Sequence, residues 1–141
     1  MKGGIFTDDL IFKKIWQDEH MLELKITAVS ESIKISSEYY ITPERITEIG
    51  TYILQFISGN QKQGIITAGT FGGNNAPAFA MQMNCDKCGH ILLDITMELN
   101  DNARPKHQCS FYIKTEPGLF EKFARSLNGL IYAPLDTQIT F

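Results

Sequence analysis

The chain has 141 residues, 43% of them apolar and 21% charged, enough for one hydrophobic core and too few for two comfortable ones, so a single domain over 1–141 is expected. Thirteen basic residues against sixteen acidic ones give a net charge of −3, which disfavours direct nucleic-acid binding and attachment to an anionic membrane. Three cysteines make an odd count in a domain of this size, so reduced thiols rather than a disulfide framework are expected.

Residues 1–20, MKGGIFTDDLIFKKIWQDEH, show no uninterrupted apolar run of signal-peptide length and read as an N-terminal extension or an extra strand. A cytoplasmic location is the expectation. Residues 22–28, LELKITA, alternate, with Leu22, Leu24, Ile26 and Ala28 on one face and Glu23, Lys25 and Thr27 on the other. Residues 33–41, IKISSEYYI, repeat the pattern with Glu38 and Tyr40 outward, and a hairpin through Ser30, Glu31 and Ser32 joins the two.

The segment TPERITEIGTYILQFISG then switches to a helical period. Thr42 suits the N-cap and Pro43 the first turn, where its missing N–H removes no helical bond. Ile46, Ile49, Ile53 and Phe56 form the apolar stripe, and Gly59 supplies the left-handed conformation that ends it.

Three further alternating runs follow, GIITAGTF, AFAMQMNC and HILLDITMEL, and after the polar loop NDNARPK comes a fourth, CSFYIK. The loop GTFGGNN has amides that could cradle a phosphate, but no Lys-Ser/Thr follows and a strand comes next, so it reads as an ordinary loop. The last helix, PGLFEKFARSLNGL, presents Phe120, Phe123, Leu127 and Leu130 on one face, with Gly129 near its end. SEYYITPERI and SFYIKTEPGLF resemble each other, a hint of internal duplication.

The expected fold is therefore α+β: a mainly antiparallel sheet of about six strands with two amphipathic helices on one face, or alternatively a β-sandwich with two helices. The uncovered face would carry Glu23, Glu38, Tyr40, Asp94, Glu98 and Tyr112. Tyrosine among carboxylates suits protein recognition through large contact area and charge steering, so these six are the candidate partner-binding residues.

NCDKCGH, residues 84–90, bears two readings. Cys85, Cys88 and His90 form a zinc half-site that needs a fourth ligand, with Cys109 or His107 the candidates. Alternatively Gly89 closes a tight hairpin that pairs Met83 with Leu93 and Cys85 with Ile91. In that register Cys85 and Cys88 are packing thiols, His90 faces the polar side beside Asp86, and Cys109 falls opposite Leu99, about 27 Å from Cys85. The hairpin reading is preferred, and no cofactor is expected. No G-x-S-x-G or H-E-x-x-H pattern is present, and a non-enzymatic role is expected.

From about residue 20 to 131, the succession of a strand pair ending in EYYITPE, a hairpin closing on Gly89-His90, and FYIKTEP entering a Leu/Phe-rich helix resembles the WapI-like immunity proteins of bacterial polymorphic toxin systems. Tyr40, Thr42, Pro43, Gly89, His90, Phe111, Glu116 and Pro117 carry the likeness. The resemblance implies a small cytoplasmic protein that binds and neutralises the C-terminal toxin domain, often a nuclease, of a large cognate toxin. It implies no catalytic residue.

Overall fold

The computed structural model describes residues 8–59, 63–69, 78–99 and 107–141. The phosphate-cradle reading of GTFGGNN falls mainly on residues outside these. Eight strands and two helices occur in the order β1 (Asp9–Gln17), β2 (Leu22–Val29), β3 (Lys34–Ile41), α1 (Pro43–Ile57), β4 (Gln63–Gly69), β5 (Ala78–Cys85), β6 (Ile91–Glu98), β7 (Gln108–Thr115), α2 (Pro117–Tyr132) and β8 (Gln138–Thr140). The fold is α+β, but the strands form two antiparallel four-stranded sheets, β3-β2-β1-β8 and β4-β5-β6-β7, rather than one sheet of about six.

Two strands account for the higher count. β1, from the segment read as an extension or an extra strand, is a strand and sits inside the first sheet between β2 and β8. β8 comes from the C-terminal tail, where Ile139 stands opposite Phe12. Each sheet turns its alternate apolar residues inward, and these join the apolar stripes of both helices in one continuous core. Phe12 meets Phe79 and Phe123 edge-on at 6.4 and 5.1 Å, so a strand of each sheet and a helix share one aromatic contact. Tyr39 lies beside Phe79 and donates its hydroxyl to the Ala78 carbonyl at 3.2 Å, joining the sheets through a buried polar bond.

The helices follow from local chemistry. Thr42 Oγ1 accepts the Arg45 N–H at 3.1 Å, and Pro43 occupies the first turn of α1. Ile46, Ile49, Ile53 and Phe56 are buried as their spacing requires, and Gly59 has φ 88°. α1 and α2 approach closely at Gly50, where a Cβ would lie 3.1 Å from the Ala124 carbonyl oxygen. α2 runs on through Gly129 to Tyr132, because Leu130 is still on its buried face and holds the last turn against the core.

Candidate functional site

The hairpin at residues 84–90 has the expected register: Met83 pairs with Leu93 and Cys85 with Ile91. Gly89 takes φ 85°, and its N–H reaches the Asp86 carbonyl. Asp86 organises the turn, one carboxylate oxygen accepting the backbone N–H groups of Cys88 and His90 at 2.9 Å each. Its carboxyl is held below the usual aspartate value chiefly by the His90 N–H, with help from the Cys88 N–H and the imidazole.

Cys85 and Cys88 are not packing thiols. Both are exposed, Cys85 at the last position of β5 and Cys88 in the turn that follows. Cys109 lies opposite Met97, not Leu99, two residues nearer the hairpin than the sequence reading placed it. Its separation from Cys85 is still about 20 Å along the sheet, at roughly 3.4 Å per residue. Exposed His107 precedes β7, beyond Cys109. Among the described residues no three His, Cys, Asp or Glu side chains come together as a metal site.

His90 instead joins two carboxylates. Its Nδ1 is 3.3 Å from Asp86 Oδ2 and its Nε2 is 3.2 Å from Glu116 Oε1. Glu116 is the N-cap residue of α2 but gives that helix no side-chain bond, so its carboxylate ties the β5–β6 turn to the β7–α2 junction. A carboxylate oxygen thus stands against each ring nitrogen, and the imidazole bridges the two acidic side chains. The cluster borders a groove of about 270 Å³ lined in part by Lys114, Thr115 and Leu119. Geometrically it is a clasp.

The six candidate partner-binding residues divide between the sheets. Asp94 and Tyr112 are cross-strand partners on the second sheet, with Tyr112 exposed and Asp94 accepting from Asn84 Nδ2 at 3.4 Å. Glu98 stands further along, opposite Gln108. Glu23, Glu38 and Tyr40 belong to the first sheet, where Glu23 pairs with Tyr40 and Lys25 with Glu38.

No family model, curated protein or solved structure matches the chain. The geometry of the first sheet's outer face must therefore be interpreted by its own chemistry. The pairing of β1 with β2 shifts between Lys14 and Trp16, placing a β-bulge at Ile15. Lys14 stays on the inward face opposite Leu24, whereas Trp16, two residues on, is brought opposite Glu23. One rung across three strands thus reads Trp16, Glu23, Tyr40. Trp16 and Tyr40 meet edge-to-face at 5.9 Å, and both remain exposed, Tyr40 to 63%.

Glu23, half-buried in this rung, has its pKa raised, first by loss of water and then by the neighbouring Glu38 charge. Among the described residues no cation forms an ion pair with Glu23 or Glu38. Trp16 did not emerge as a site residue from the sequence because alternation over Leu10, Phe12, Lys14 and Trp16 points it inward; only the bulge reverses it.

Proposed function

We propose that this protein acts by stoichiometric binding, as an immunity protein that covers and neutralises the C-terminal toxin domain of a cognate polymorphic toxin in the cytoplasm, without catalysis of its own. The observation that supports this reading is the exposed Trp16–Tyr40 pair with Glu23 and Glu38 on the outer face of the first sheet. Tryptophan and tyrosine are the residues on which protein interfaces concentrate their binding energy, and adjacent carboxylates accelerate encounter with a basic partner such as a nuclease domain. The candidates on the second sheet fit less well, since Asp94 already has Asn84 as a partner. Among the described residues no helix is long and apolar enough to cross a membrane, in keeping with a protein that meets its partner in solution.

The test is co-expression. A toxin domain encoded beside this gene should kill cells alone, be tolerated when this protein is present, and co-purify with it in a fixed ratio. Killing undiminished by the co-expressed, folded protein contradicts the proposal.

A further inference from the structure

The Trp16–Glu23–Tyr40 rung has an unusual composition for an exposed sheet face. Two aromatic rings in edge-to-face contact stand at its ends, with a half-buried carboxylate between them and a second, Glu38, one position along β3 from the tyrosine's neighbour. On a solvated face a glutamate gains by reaching into water or toward a lysine. Here Glu23 loses water, feels a like charge, and has no ion-pair partner among the described residues. Lys25 lies across from Glu38 without forming an ion pair to it.

On the outer face the rung to one side is Lys13, Lys25 and Glu38, while to the other side, at the β1–β2 turn, carboxylates are added. The β1–β2 turn adjoining the rung contributes Asp18 and Glu19, both exposed, with Asp18 fixed by the backbone N–H groups of His20 and Met21 at 2.8 and 2.9 Å. Those bonds hold the Asp18 carboxyl below its ordinary value, so it stays ionised. A cation is attracted, and an aromatic face beside a carboxylate selects among cations: a guanidinium can stack flat on the ring while its N–H fork meets the carboxylate, a geometry an ammonium cannot reproduce.

We propose that the Trp16–Glu23–Tyr40 rung, with Glu38 beside it, is the receptor for an arginine side chain presented by the protein partner. This deepens the binding reading above and rests on it for the partner's identity. Arginine burial relieves the Glu23–Glu38 repulsion, supplies the missing counter-charge and covers the two rings. Those three gains come from one side chain.

Trp16 is the chain's single tryptophan, so its fluorescence reports this site. The full-length protein is titrated at low salt with a capped tetra-arginine peptide and, separately, with the equally long tetra-citrulline peptide, which keeps the shape and lacks the charge. Arginine should give a saturable change at a concentration at least tenfold below citrulline, and a Glu23→Gln/Glu38→Gln variant should weaken the arginine response at least tenfold. Equal responses to the two peptides, or an undiminished response in the variant, overturn the inference; the peptide comparison on the unaltered protein decides the matter even if the variant folds poorly. A toxin domain that binds the protein and the folded variant equally well overturns the arginine inference and leaves the immunity reading standing. Arginine selectivity in a protein that fails to protect against the toxin overturns the immunity reading alone.

Discussion

Lys14 Nζ lies 2.6 Å from the carbonyl oxygen of Ala133, the C-cap residue of α2. The same ammonium donates to Leu130 O at 3.0 Å and Ile131 O at 3.2 Å, adding to the Ala133 N–H on the first and the Gln17 amide on the second, so a lysine of β1 completes the pairing of the carbonyls with which the helix ends. Its backbone is equally committed: the Lys14 N–H reaches Thr137 O at 2.9 Å and its carbonyl accepts the Asp136 N–H at 2.7 Å. One residue thus holds together the bulge that turns Trp16 outward, the end of α2 and the approach to β8.

Replacing Lys14 by methionine keeps the stem and removes the donors, leaving those carbonyls underpaired in a site where lysine is only 1% exposed. The expected loss is about 2–3 kcal/mol, seen as a fall in Tm of roughly 6–10 °C. Lys13→Met, on the adjoining half-exposed position, should stay within about 0.5 kcal/mol. Equal melting of the two variants contradicts this role for Lys14.

Tyr39 makes the fold sensitive to alkali. Burial raises its pKa well above the ordinary 10.0, so the folded chain keeps the phenol proton that the unfolded chain gives up. Its contribution is complete below pH 10 and is lost above it, by about 1.4 kcal/mol per pH unit until the folded value is reached. Lys14 acts oppositely: burial lowers its pKa below 10.5, so its titration restores stability as the pH rises toward that value. The comparison is therefore with Tyr39→Phe, which should be less stable than the parent at pH 7 by about 1 kcal/mol through loss of the bond to Ala78 O. By pH 11 that deficit should vanish or reverse. A deficit that is constant from pH 7 to 11 contradicts the assignment.

Cys85→Ser/Cys88→Ser should leave stability within about 0.5 kcal/mol, because both thiols are exposed and the turn is held by Asp86 and Gly89. Protein purified without a tag should carry no stoichiometric zinc, and a chelator should not change its Tm. One equivalent of zinc with a chelator-dependent melt contradicts the hairpin reading.

Much of the fold is legible in the sequence because period and caps agree with the final packing. The stripe Ile46, Ile49, Ile53 and Phe56, the Thr42 cap and the Gly89 turn each follow from a local rule that the core reinforces. β1 is hard to read because a buried lysine interrupts its apolar face, and β8 because three residues carry too little periodicity to register. The candidate site is half legible. Glu23, Glu38 and Tyr40 come from plain alternation, whereas their division from Asp94, Glu98 and Tyr112 depends on sheet membership, and the presence of Trp16 depends on one bulged residue. Neither has a local sequence signature.

The most direct measurement is the affinity of the proposed partner, a cognate toxin domain, for two folded double variants, Trp16→Ser/Tyr40→Ser on the first sheet and Asp94→Asn/Tyr112→Ser on the second. The first should bind at least 100-fold more weakly than the unaltered protein, a loss of about 2.7 kcal/mol, while the second should change affinity by no more than about threefold. Undiminished binding by the first variant, or a large loss confined to the second, contradicts the placement of the interface.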